Sequence, residues 1–127
     1  MGRYYNGDIE GKFWFGVQSS DDAEFFGAEG YNNYLQFYFD DSHLTHINKG
    51  IRECKRELWG YKKKLDKFFK ENNGYNDEML LKALKGGKYI DRDKIRHLLE
   101  WYARLGLGEK ILKCVKEQDS CEFEAEL

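Results

Sequence analysis

The chain contains no proline, only three cysteines, three histidines and two methionines, and no long apolar run. Each shortage excludes something. Without proline, no X–Pro isomerisation slows folding. Cys54, Cys114 and Cys121 are odd in number and have no paired spacing, which argues against a disulfide framework. None stands in a C-x-x-C pair, so nothing points to structural zinc. Buried, reduced thiols in a reducing cytoplasm are expected. The longest apolar stretch is Phe13-Trp14-Phe15-Gly16-Val17, far too short to span a bilayer. No basic n-region leads into an apolar h-region, so no secretory signal is expected. Met1-Gly2 would suit myristoylation, but Asn6 stands where that motif needs Ser or Thr.

Catalytic raw material is equally thin. No local Ser/His/Asp or Cys/His arrangement can be assembled. Gly27-x-x-Gly30 lacks the rest of any phosphate-cradling loop. The expectation is a protein that is not an enzyme and carries no cofactor.

What is present is aromatic and charged. The 127 residues are 17 % aromatic and 35 % charged. A chain of this length forms one domain, spanning 1–127, and buries roughly two-thirds of its unfolded surface without metal or disulfide. The net charge of −2 favours no partner, but the charge is unevenly laid out. Residues 1–48 carry two basic and eight acidic side chains, and residues 49–70 carry nine and three.

The hydrophobic pattern predicts an α+β fold. Segment 12–18 alternates, with Phe13, Phe15 and Val17 on one side. Segment 34–39 does the same with Leu35, Phe37 and Phe39, and segment 121–127 with Cys121, Phe123, Ala125 and Leu127. Alternation places one apolar face on each strand, so a small antiparallel sheet of these three is expected, its terminal strands adjacent. Between the first two, Asp21 and Glu24 predict a capped short helix ended by Gly27 and Gly30.

After the cap signal Asp40-Asp41-Ser42, the residues Leu44, Ile47, Ile51, Cys54, Leu58, Tyr61, Leu65 and Phe68 step 3, 4, 3, 4, 3, 4, 3. That heptad seam predicts a long helix over 42–72, with Gly60 as the place where it kinks or splits. Two C-terminal helices follow, 76–85 and from Asp91 or Asp93 to Leu105, the second broken by Gly106 and Gly108. Segment 109–117 reads equally as helix or hairpin arm.

Four sets of residues are candidate sites. Trp14 and Tyr38, on the strand faces opposite the core sets, would form an aromatic platform beside Asp21 and Asp22. Asp40, Asp41, His43 and His46 are the one cluster with metal-ligand residue types. A metal-dependent hydrolase is the weaker alternative there, since helix capping and a helix surface explain the same residues. The basic side chains from Lys49 to Lys70 would track phosphates or simply solvate a helix. A small-molecule binder, such as a nucleotide-binding protein, would line a pocket with Trp14, Tyr38, Arg3 or Tyr5.

The segment GYNDEMLLKALKGGKYIDRDKIRHLLEWYARLGLGEKI, within residues 74–111, resembles a winged helix-turn-helix. The resemblance implies DNA binding through Arg92, Lys94, Arg96 and His97 at the start of the second helix, with a wing beginning near Leu105-Gly106-Leu107. The turn is long, and glutamates in CEFEAEL would repel phosphate, so nucleic acid is not the favoured partner. Taken whole, RYYNGDIEGKFWFGVQSSDDAEFF, the heptad helix and LLEWYARLGLGEKIL…CEFEAEL resemble small uncharacterised accessory proteins of bacteriophage and environmental virus genomes. That resemblance implies a protein acting in a host cytoplasm. The expected function is therefore protein–protein interaction with a host protein, as a host-factor or defence-system modulator. The routes are the acidic N-terminal third docking on a basic surface, or a homodimer through the heptad seam. No membrane partner is expected.

Overall fold

A computed structural model describes residues 3–14, 17–30, 35–72, 74–84 and 91–126. The fold is α+β. Four strands, β1 (Tyr4–Gly7), β2 (Gly11–Lys12), β3 (Leu35–Asp40) and β4 (Ser120–Ala125), form an antiparallel sheet in the order β2-β1-β4-β3. Among the described residues four helices, α1 (Leu44–Glu57), α2 (Lys62–Glu71), α3 (Asp77–Leu84) and α4 (Arg92–Gln118), accompany it, with short 3₁₀ turns at Asp22–Phe26 and Asp41–His43.

The C-terminal strand takes a central place. Ala125 lies opposite Tyr5 on one side and Leu35 on the other, and Phe123 opposite Gly7 and Phe37. Tyr5, Phe37, Phe39, Cys121, Phe123 and Ala125 are buried on one face, while Tyr4, Asn6, Gln36, Tyr38, Glu122 and Glu124 are exposed on the other. The alternation of CEFEAEL is that division seen along a single strand.

The expected strand over 12–18 is corrected. Only Gly11–Lys12 pairs, with β1. Beyond it the chain turns, because the amides of Val17 and Gln18 both donate to the Trp14 carbonyl, at 3.2 and 2.9 Å. Phe15, Tyr34 and Leu127 of the expected strands lie outside the described residues. The N-terminal strand beside β4 is instead Tyr4–Gly7, a four-residue segment with only one inward aromatic, Tyr5.

The single helix expected over 42–72 is also corrected: it splits, at the glycine where a break was foreseen. Gly60 has φ +85°, left-handed backbone that costs a glycine little. The turn leaves Trp59 81 % exposed. The seam nevertheless stays in register across the split. Ile47, Ile51, Cys54 and Leu58 are buried from the first half, and Leu65 and Phe68 from the second. Those residues are thus committed to this chain's own core.

Helix α4 is the long helix. It runs unbroken through Gly106 and Gly108, so segment 109–117 is helical. Asp91 caps its start by accepting from the Lys94 amide at 2.8 Å. It ends at Asp119 in the left-handed region, φ 67°, whose amide returns to the Val115 carbonyl. Aspartate tolerates that conformation better than most residues, and it delivers the chain directly into β4.

Phe26 is the wedge between α1 and α4. It is fully buried, and a Cβ on Gly50 would sit 2.8 Å from its ring. A Cβ on Gly108 would fall still deeper inside that ring's contact distance. The two glycines that weaken the helices on propensity therefore create the space in which the helices meet. No described helix is long and apolar enough to cross a membrane.

Candidate functional site

The N-terminal candidates are separated by the fold. Asp22 is buried and accepts from Arg104 Nε at 2.7 Å and from Gln18 Nε2 at 2.9 Å. Gln18, also buried, donates to the Ala103 carbonyl at 3.3 Å and accepts from the Trp14 amide at 3.1 Å. Arg104 stacks over Trp101, 4.5 Å from the ring centre, and over Phe25 at 5.0 Å. Arg3 donates to Ser20 Oγ at 2.6 Å and to the Gln18 carbonyl. Every member of this network has partners, as buried polar groups must. Its effect is to clamp the loop after β2 onto α4 and to fix Trp14. Asp21, by contrast, is exposed and accepts from Ser19 Oγ.

Trp14 so fixed forms one wall of a cleft of about 210 Å³. Its ring centre lies 5.2 Å from Phe69, 5.9 Å from Tyr102 and 6.2 Å from Tyr75. The α4 turn around Gly106 also lines it, with Lys12, Lys62 and Lys110. Lys62 pairs with Asp66 at 2.7 Å, and Tyr102 donates to the other oxygen of Asp66 at 2.7 Å. Burial pushes the Asp66 carboxyl up, but these two donors outweigh it and hold it below the usual range. The Tyr102 hydroxyl is pushed up by burial and by Asp66. Lys110 donates to Tyr5 Oη at 2.8 Å and to the Glu10 carbonyl at 3.1 Å. Gly11 makes room for that contact, since its Cβ would lie 2.8 Å from the Lys110 ammonium.

Tyr38 stands elsewhere, on the open face of the sheet, 51 % exposed and opposite Glu122. Tyr4, 47 % exposed, shares that face. Gln36 Nε2 donates to Glu124 Oε1 at 3.0 Å across the strands. Asp8 adds a carboxylate at the end of β1, accepting from the Glu122 amide at 2.9 Å, and Glu126 adds one beside Tyr4. The face therefore carries four carboxylates around two tyrosines. Lys12 stands 5.9 Å above the Tyr4 ring.

The metal-type residues serve other ends. Asp40 accepts from the Ser42 amide at 3.0 Å, while His43 Nδ1 accepts from the Asp40 amide at 3.1 Å, a reciprocal capping box. The Ser42 hydroxyl bond, ahead of the other contacts, holds the Asp40 carboxyl below its ordinary value. The His46 ring packs where a Cβ on Gly27 would be, 3.0 Å away. Among the described residues, no three His, Cys, Asp or Glu side chains gather as metal ligands.

Arg92, Lys94, Arg96 and His97 are exposed on the first turns of α4. Two of them tie helices together: His97 Nε2 lies 3.3 Å from Glu57, and the Lys94 ammonium sits 5.5 Å above Tyr61. Residues 85–90, the turn of the helix-turn-helix resemblance, lie outside the described residues, and Leu105-Gly106-Leu107 is inside α4.

All three cysteines are buried and free. Burial pushes the Cys54 thiol up to about 12, and burial together with the neighbouring Cys114 raises Cys121. No protein family, curated protein or solved structure matches the chain.

Sequence reasoning named Trp14, Tyr38, Arg3 or Tyr5 as possible pocket residues; Trp14 and Tyr5 line the cleft, and Tyr38 and Arg3 do not. It missed Gln18, Tyr102, Arg104 and Lys110. Each acts through a contact with a residue 36 to 105 positions away, which periodicity cannot see.

Proposed function

We propose that this chain is a non-enzymatic binding protein, of the accessory kind that phages and viruses encode, which acts by docking its open sheet face on a basic surface of a host protein. One observation carries the reading: Tyr4 and Tyr38 stand half-exposed among Glu122, Glu124, Glu126 and Asp8. Tyrosine supplies large contact area at low entropic cost, and interface hot spots are enriched in it. The surrounding carboxylates select a basic partner and steer its approach. They also repel nucleic-acid phosphate, which makes this face unsuited to a duplex.

The test compares wild type with the triple variant Tyr38→Ala, Glu122→Gln, Glu124→Gln, each used to capture proteins from host lysate at low and at moderate salt. All three side chains are exposed, so the variant should fold. The expected result is a protein with a basic surface that wild type retains, the variant loses, and added salt weakens. Equal capture by both proteins, or capture of nucleic acid alone, would overturn the reading.

A further inference from the structure

We propose that the cleft beside Trp14 binds a small anion bearing one flat ring, of the nucleoside monophosphate class. The cleft and the open sheet face meet only at Lys12, which lines the cleft and stands over Tyr4, and the inference does not depend on the docking proposal.

Three observations lead there. The first is charge. Lys62 is neutralised by Asp66 at 2.7 Å. Lys110 instead spends its hydrogen bonds on neutral oxygens, the Tyr5 hydroxyl and the Glu10 carbonyl. The contact of Lys12 is with the Tyr4 ring. Among the described residues neither Lys12 nor Lys110 makes a salt bridge with a carboxylate. Glu109 lines the cleft as well as Asp66, so three lysines stand there against two carboxylates, and the surplus ammonium favours an anion such as a phosphate monoester, about −1.5 to −2 near neutral pH.

The second is the wall. Trp14 is half-buried and locked from behind by Gln18 and the Asp22–Arg104 pair. Tyr75 already stacks on this indole at 6.2 Å, and a base, which always has a π-face, would extend that aromatic cluster from the cleft side. The Tyr5 hydroxyl, already accepting from Lys110, keeps its own proton to donate to a ligand.

The third is Gly106. It is an exposed position inside a 27-residue helix, where glycine is disfavoured. Gly108, two residues on, is explained by the Phe26 ring. Gly106 has no such reason, because a Cβ there would meet nothing within 4 Å. It lines the cleft. What glycine supplies at such a place is bare backbone that a flat group can approach closely.

Size sets the upper limit. Clefts for drug-sized ligands run from about 300 to 1,000 Å³. At about 210 Å³ this one suits one ring with its anionic group at the rim, and it is too small for a dinucleotide.

The test titrates AMP, GMP, CMP and UMP into the full chain, followed by calorimetry and by thermal unfolding. Adenosine and inorganic phosphate serve as the charge-less and ring-less controls. At least one nucleotide should bind saturably and raise Tm, because it binds only the folded state. Both controls should bind at least tenfold more weakly. Lys110→Gln should weaken binding tenfold or more. Gly106→Leu should abolish it without lowering Tm, since it fills the cleft and not the core. Failure of all four nucleotides at millimolar concentration would overturn the proposal. So would phosphate binding as well as the best nucleotide, or binding that survives Gly106→Leu.

Discussion

Gly106 and Gly108 lie two positions apart on one helix, and the same substitution should act on them with opposite sign. Replacing a helix-interior glycine with alanine gains up to about 1 kcal/mol of propensity. At Gly106 nothing opposes that gain, because the space around its Cβ is open. Gly106→Ala should therefore stabilise the fold by about 0.5–1 kcal/mol. At Gly108 the new methyl collides with the Phe26 ring, which is fully buried between α1 and α4. Overpacking of a core costs about 1–3 kcal/mol, so Gly108→Ala should destabilise by about 1 kcal/mol net. The two variants should differ by about 2 kcal/mol. For a chain of this size, roughly 4 °C per kcal/mol turns that into about 8 °C in Tm. Urea unfolding with matched m-values is the assay of choice, since it separates stability from compactness. Equal stabilisation by both substitutions would refute the claim that Phe26 is wedged between the helices.

Three further outcomes follow from the geometry. Asp22→Ala strands the largely buried Arg104 guanidinium and strips Gln18 of an acceptor. Breaking one partner of such a pair costs about 3–5 kcal/mol, and a double-mutant cycle with Arg104→Met should return part of that loss. The three buried thiols should resist a disulfide reagent at pH 8 in the native protein, then react together once denaturant unfolds it. Fast labelling of Cys54, whose thiol burial pushes up to about 12, would contradict its packing. Asp66 has its carboxyl below the usual range when folded, so its contribution is present above the unfolded value, about 3.9. That contribution is lost as pH falls through the folded value. Asp66→Asn should therefore flatten the acid limb of the stability curve below about pH 4, and an unchanged limb would count against the Lys62–Asp66–Tyr102 arrangement.

How far the fold was readable depended on the range of each interaction. The alternation in CEFEAEL and in Leu35 to Phe39 revealed two strands, because one side of the sheet is core and the other solvent. The heptad positions named six residues that are buried, and Gly60 marked the break. Two readings failed for a shared reason. The alternating Phe13 and Val17 resemble a strand, but Gln18 turns inward to Asp22 and Ala103 and the chain bends at Trp14. Gly106 and Gly108 resemble helix breakers, but one is required by Phe26 and the other leaves α4 open to the cleft. At Gln18 and at Gly108 a contact from a distant segment overrides local preference. The cleft was legible only as Trp14 and Tyr5. Lys62, Lys110 and its second aromatic wall arrive on α2 and α4, nearly fifty to a hundred residues downstream.

Hydroxyl-radical footprinting of the protein with its captured partner tests the docking face most directly. Tyr4 and Tyr38 should lose reactivity in the complex, while Trp59, 81 % exposed on the turn between α1 and α2, keeps its own. Protection of Trp59 with Tyr4 and Tyr38 left fully reactive would contradict the account.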